Sequence, residues 1–327
     1  MRRAALLLLL CLGACGRPEA SASRACLVAP AAQAAPSTAG MVLVRGGAFE
    51  MGARPMHAEE GPPTPVEVGD FWIDRTEVTN ADFARFVQAT GYVTLAERPL
   101  DPRAYPGLSG DDLKPSGVVF VGADTPGEPN PLRWWRVIPG ADWRHPLGPK
   151  STIVGRDTQP VVQIAWQDAM AYARWLGRDL PTEAEWEYAA QGGKSATRFV
   201  WGEAPFDPGK PQANVWQGAY PVLDTGEDGY RATVAPVGCF PANGLGLHDM
   251  AGNVWEWTKD AYRPGIDPAG PAPEAGNPGQ REHVIKGGSF LCAPSFCYRY
   301  RPAARQPGPT DTGENHIGFR TVLRVKP

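Results

Sequence analysis

The chain has 327 residues, a net charge of −3, and 38 glycines with 35 prolines, more than a fifth of its length. That length admits one large domain or two ordinary ones, and the glycine and proline load argues against a helical bundle and for a loop-rich globule. A hydrophobic share of 43% with 11 tryptophans can fill a sizeable core, and the absence of any Lys/Arg block excludes a nucleic-acid footprint.

In chain order, Met1-Arg2-Arg3 opens an apolar run over 4–12. The run is too short to cross a bilayer of about 30 Å and fits the core of an export signal. Leu12-Gly13-Ala14-Cys15 resembles the lipobox of bacterial lipoproteins. It predicts a signal peptide over 1–14, a lipidated Cys15 and an exported protein held on a membrane of the cell envelope by its acyl chains. Gly16 leans the anchor toward an outer membrane, or the periplasmic side, if the cell has one; an ordinary signal with an incidental cysteine is the alternative. Residues 16–40 are rich in Ala, Ser and Pro, so 15–40 reads as a tether. From Met41 aromatic density rises and no second linker follows, so 41–327 reads as a single domain.

Three helices are predicted. Thr79-Asn80-Ala81-Asp82 is a capping start before Phe83, Phe86 and Val87, with Gly91 as the stop. Trp166, Met170, Ala173 and Leu176 recur at helical spacing up to Gly177. Thr182-Glu183-Ala184-Glu185 is a capping box leading into Trp186 and Tyr188. Short strands are predicted at 41–44, 71–74, 254–257, 284–285 and 318–325, with ordered loop over much of 95–160 and 194–250. This is an α+β chain dominated by irregular backbone, without an internal repeat, and nothing in it reads as a dimer seam.

The five histidines, His57, His145, His248, His283 and His316, are scattered, and no H-E-x-x-H, C-x-x-C, P-loop or G-x-S-x-G pattern occurs. Multi-histidine metal sites, P-loop NTPases and α/β-hydrolases therefore lack support. Cys292 and Cys297, five residues apart in an exported chain, read as a disulfide clip or as a soft-metal site suited to Cu(I). Asp224-Thr225-Gly226-Glu227-Asp228-Gly229-Tyr230 is an acidic turn without the EF-hand ligand pattern.

Several ordered motifs resemble one family. They are Met41-Val42-Leu43-Val44 through Met51-Gly52, Phe71-Trp72-Ile73-Asp74 with Glu77-Val78-Thr79, and the run Leu180-Pro181-Thr182-Glu183-Ala184-Glu185-Trp186-Glu187-Tyr188. Gly252-Asn253-Val254-Trp255-Glu256-Trp257, Gly287-Gly288-Ser289-Phe290 and Gly318-Phe319-Arg320 complete the series. Over 41–327 the chain resembles the formylglycine-generating enzyme (sulfatase-modifying factor) family, whose loop-rich fold is related to C-type lectins. Cys292 and Cys297, together with Trp143-Arg144-His145-Pro146 and Asn214-Val215-Trp216-Gln217-Gly218, resemble the copper-dependent two-cysteine branch.

The resemblance implies an oxidoreductase that uses O2, Cu(I) held by Cys292 and Cys297, and a thiol reductant. Its product would be Cα-formylglycine, made from a cysteine in a Cys-x-Pro-x-Arg segment of unfolded or partly folded sulfatase polypeptides. Disulfide and copper forms would be two states of one site. Ser289 matches a serine near the pair, and Trp255 matches a wall of the oxygen-reactive pocket, with core packing as its alternative. Arg305 matches a substrate-contacting arginine, with a buried ion pair as its alternative. His316 stands where the branch often carries Asn, and is expected to contact substrate. The resemblance also implies two calcium sites: Asn214, the Val215 carbonyl, Asp228 and the Tyr230 carbonyl; and Asp249, the Gly252 and Val254 carbonyls and Glu256. Asp249 replaces a frequent Asn. Two vertebrate disulfides are missing, since Ala173, Ala190, Pro302 and Thr321 occupy the matching positions. Cys26 and Cys239 are left to pair or to stay apart. A non-catalytic envelope binding module on the same fold is the competing function; a sulfoxide synthase would need a histidine cluster that the sequence lacks.

Overall fold

The computed structural model describes residues 26–27, 37–123, 130–266 and 282–325. The expected signal segment, the expected lipid site Cys15 and most of the expected tether lie outside the described residues. In chain order the elements are β1 (Met41–Val44), β2 (Gly47–Met51), β3 (Thr64–Val68), β4 (Phe71–Asp74), α1 (Asn80–Thr90), β5 (Ser116–Phe120) and β6 (Trp135–Pro139). There follow α2 (Trp166–Trp175), α3 (Glu183–Ala190), β7 (Gly218–Ala219), β8 (Leu223–Asp224), β9 (Trp255–Ala261), β10 (Glu282–Lys286), β11 (Arg305–Pro309), β12 (Ile317–Gly318) and β13 (Val322–Arg324).

The helices start and stop where short-range chemistry dictates. The Thr79 side chain accepts the Asp82 amide, and Gly91, at φ 66°, turns the chain left-handed while its N–H closes on the Val87 carbonyl. Thr182 and Glu185 cap α3 reciprocally. At α2 the capping position is Ala165, and the Asp168 carboxylate reaches back to its N–H at 3.0 Å. Phe83 of α1 packs its ring against Phe86, Trp143, Tyr172 and Phe319 at centroid distances of 5.3 to 6.4 Å. This aromatic knot fastens both helices to the sheets.

Two sheets carry the architecture. One is antiparallel, in the order β1-β4-β13, with Val322 opposite Ile73. The other runs β11-β10-β9-β12, with β12 parallel to β9 so that Ile317 faces Trp255. The strand expected at 318–325 is two strands, one in each sheet. Between them the Arg320 side chain turns inward to Glu256, and Thr321 bonds Asp74, which carries the chain from one sheet to the other. The strand expected at 254–257 runs on to Ala261, and that at 284–285 spans Glu282–Lys286. Pairs β2–β3 and β5–β6 were not expected; β3 holds Pro65, and β6 buries no alternating face.

The folded contacts begin before Met41. Cys26 is disulfide-bonded to Cys239, the Leu27 N–H bonds the Gly238 carbonyl at 3.1 Å, and the Ser37 carbonyl accepts from Arg178 at 2.6 Å.

Candidate active site

Strand β10 ends at Lys286, and Gly287 and Gly288, at φ 93° and 74°, turn the chain into the cysteine segment. Both conformations favour glycine, and a Cβ on Gly287 would lie 3.1 Å from the Trp186 ring. The segment is pinned by its backbone: the Phe290 N–H donates to Asn253, the Cys292 N–H to Ser289, and the Cys292 carbonyl accepts from Trp216 at 3.1 Å. Cys292 and Cys297 are brought together with Cα atoms 4.8 Å apart and are joined as a disulfide. Both are buried, while Pro294, Ser295 and Phe296 form an exposed crown above them. Phe296 is 50% exposed and stacks on Tyr220 at 4.3 Å, with Trp134 edge-on at 5.4 Å.

Ser289 and His316 also meet here. Ser289 Oγ lies 3.1 Å from His316 Nδ1 and accepts the Leu291 N–H at 3.2 Å. His316 Nε2 lies 2.8 Å from a Glu314 carboxylate oxygen. The parallel β12–β9 pairing sets this up, because the Trp255 N–H donates to the His316 carbonyl at 2.9 Å. Trp255 is buried in the same apolar cluster as Cys292 and Cys297. Glu314, two residues before His316, was missed from sequence; the only signal is an acid next but one to the histidine in a loop.

Arg305 has a different setting. It begins β11, and its guanidinium is bidentate on Glu183 at 2.7 and 3.0 Å. It also donates to the carbonyls of Glu59, Arg263 and Gly265. Its bonds thus form a buried ion pair, on the rim of a cavity of about 240 Å³ that Met51, Asp260 and Ile266 also line. The same helix carries further pairs: Glu187 takes Lys286 at 2.9 Å and Glu185 takes Arg324 at 2.7 Å. Glu256 of β9 receives Arg320 at 2.6 and 2.7 Å and the Trp186 indole N–H at 2.7 Å. The motif residues Trp186, Glu256 and Arg320 are thus parts of one buried contact that joins three motifs.

The two predicted calcium sets fall in two acidic, buried places. Asp228 accepts the N–H groups of Val215 and Tyr230, and burial pushes its carboxyl up to about 6, with Asp224 adding repulsion. Asn214 donates to the Thr233 carbonyl, and the Val215 carbonyl accepts from Gln217. In the second place Asp249 is likewise pushed up to about 6 by burial, and Glu77 is raised by burial and by Asp249 and Glu256. Three buried carboxylates there share Arg320, an excess of negative charge that fits a cation. Glu256 has both its oxygens engaged by Arg320 and Trp186. Among the described residues no three His, Cys, Asp or Glu side chains converge as a metal cluster. For copper the donor set fits, since two buried sulfurs within bonding reach of each other suit a soft ion.

Comparison with known proteins places this geometry. A formylglycine-generating enzyme of Mycobacterium tuberculosis (strain ATCC 25618 / H37Rv) is 51% identical over 292 residues, covering 86% of this chain and 97% of the relative. One of Bos taurus is 42% identical over 289 residues, covering 86% of this chain and 73% of the relative. Among solved structures, PvdO from Pseudomonas aeruginosa matches with a TM-score of 0.57 at 25% identity, covering 87% of this chain and 94% of that one. The family model described as the sulfatase-modifying factor enzyme 1-like domain matches residues 27–325, and the chain belongs to that family.

Proposed function

We propose that this chain oxidises a cysteine in a Cys-x-Pro-x-Arg segment of sulfatase polypeptides to Cα-formylglycine. The observation that carries this reading is the meeting of Cys292 and Cys297 at one buried site, in a family whose relatives at 51% and 42% identity bear the name formylglycine-generating enzyme. The electrons balance. The substrate thiol carbon and water give an aldehyde, hydrogen sulfide and two electrons; two thiols give a disulfide and two more; O2 takes all four to form water.

The Cys292–Cys297 disulfide must first be opened by two electrons, from two thiols that leave as a disulfide of their own. The freed thiolates would then hold Cu(I), which supplies the O2 chemistry when bound. Ser289, whose carbonyl accepts the Cys292 N–H, would offer a hydroxyl near the pair, and Trp255, buried in the same cluster, would supply an apolar wall that excludes water. The burial of both sulfurs beneath the crown favours an extended, unfolded client strand over a folded surface. Calcium at the two acidic places would brace loops that little regular structure holds. The lipid anchor at Cys15 would hold the enzyme on the exported side of a membrane, where translocated chains emerge.

The test is a Cys-x-Pro-x-Arg peptide, Cu(I), air and a thiol, followed by mass. We expect an aldehyde that a hydrazide traps. Cys292→Ser and Cys297→Ser should each abolish it. Full conversion by either variant would end this reading.

A further inference from the structure

The cavity of about 240 Å³ beside Arg305 lies between the start of α3, the end of β9 and the segment 263–266. Pockets for drug-sized ligands begin near about 300 Å³, so this one has room for a single small molecule. Met51, Ala184 and Ile266 give it an apolar lining. The Glu183–Arg305 pair at its rim is satisfied within itself and by three carbonyls, and presents no net charge.

Two charged side chains of the lining are left over. Arg263 is one. Its carbonyl and that of Gly265 are held by Arg305 at 2.7 and 2.8 Å, which fixes the backbone that carries its guanidinium. Among the described residues that guanidinium enters no ion pair, and its Nε is withdrawn from solvent without an acceptor. Asp260 is the other. One of its oxygens accepts the Glu183 N–H at the start of α3, and among the described residues no cation closes an ion pair with it. Burial raises its carboxyl above the usual range, and the Glu183 and Glu185 charges add to the rise against the pull of the Glu183 N–H. A charge taken from water is costly until an opposite charge meets it. Here one of each sign lines the same cavity, and the two do not reach each other.

We propose that this cavity is a binding site for a small zwitterion of the α-amino-acid class. The ligand carboxylate would pair with the Arg263 guanidinium, whose planar fork suits two oxygens. The ligand ammonium would pair with the Asp260 oxygen that the Glu183 N–H leaves free. An apolar ligand side chain would rest on Met51, Ala184 and Ile266. A lone anion would leave Asp260 unpaired, and a lone cation would leave Arg263 unpaired; a ligand with both charges satisfies the two together. Binding there requires nothing of the Cys292–Cys297 pair, so it stands or falls apart from the cysteine-oxidation reading.

The purified protein is titrated with L-leucine, L-methionine and L-alanine, followed by saturation-transfer NMR and calorimetry. Saturable binding with a Kd of about 1 mM or tighter is expected for L-leucine or L-methionine. 4-Methylpentanoate is leucine without its ammonium, and 3-methylbutylamine is leucine without its carboxylate. Each should bind about tenfold more weakly or worse, because a charged hydrogen-bonding partner is lost. Arg263→Gln and Asp260→Asn should each weaken the amino acid by a similar factor. The Asn oxygen can still accept the Glu183 N–H, so α3 keeps its start, and thermal unfolding checks the fold of both variants. Arg263→Lys keeps the charge and should recover most of the loss. No saturation by any of the three amino acids overturns the site, as does an affinity unchanged in both charge-removing variants. 4-Methylpentanoate binding as tightly as L-leucine would make this a plain anion site, and 3-methylbutylamine doing so a plain cation site; either result ends the zwitterion assignment.

Discussion

Glu60 and Arg301 are both withdrawn from solvent, and their bond closes the 3-10 turn at Ala58–Glu60 against the segment that follows the cysteines. Burial alone would raise the Glu60 carboxyl, but the Arg301 guanidinium and the Met56 and His57 amides overcome it and hold the carboxyl below the usual range. A depressed carboxyl contributes stability above its unfolded value that is lost as pH falls through the folded one. Glu60→Gln should therefore cost about 3 kcal/mol near neutrality, because it leaves Arg301 buried beside a neutral amide. The gap to the wild type should close as the pH drops below about 4, measured as urea midpoints across pH. A gap that stayed constant down to about pH 3 would contradict the ion pair.

At the scale of elements, α3 is short for a helix, and isolated helices of its length are marginal in water. What fixes it is the Thr182–Glu185 cap and the three glutamates that its sequence spends on distant partners. Thr182→Ala should cost about 1 kcal/mol in chemical denaturation. Its effect should reach the active site, since Lys286, clamped by Glu187, directly precedes the Gly287–Gly288 turn. The helices were legible in the sequence because caps and glycine stops act within four residues. Strands β2, β3, β5 and β6 were not, because pairing partners decide them and Pro65 or a missing alternation hides the period. The cysteine pair could be read from its motif. Glu314 could not, because nothing local distinguishes a loop acid that caps an imidazole from one that faces water.

At the scale of the molecule, few helices and short strands leave long stretches held by turns, side-chain bonds and cross-links. The Cys26–Cys239 bridge spans a sequence separation of 213 residues, a large loop by the chain-entropy account. No spacing rule in the sequence points to it. Changing both cysteines to serine should cost about 2–4 kcal/mol and lower Tm by several degrees in calorimetry. A Tm within one degree of the wild type would show that the bridge adds nothing. The calcium proposal belongs at this scale too. Calcium at a hundredfold above its Kd should raise stability by about 2.7 kcal/mol, and a chelator should reverse that. A Tm indifferent to both would discard the two ligand sets.

The same bridge also sets a length. With a lipid on Cys15, as proposed, the first covalent fixture on the folded body is Cys26, eleven residues on, where the sequence alone had pointed to Met41. A fully stretched backbone of that span covers at most about 40 Å, against about 90 Å had the leash run to Met41. The body would therefore graze the bilayer within less than half the distance, and its clients would have to be caught as they leave the membrane. Opening the bridge would let the leash out without changing a residue of the site.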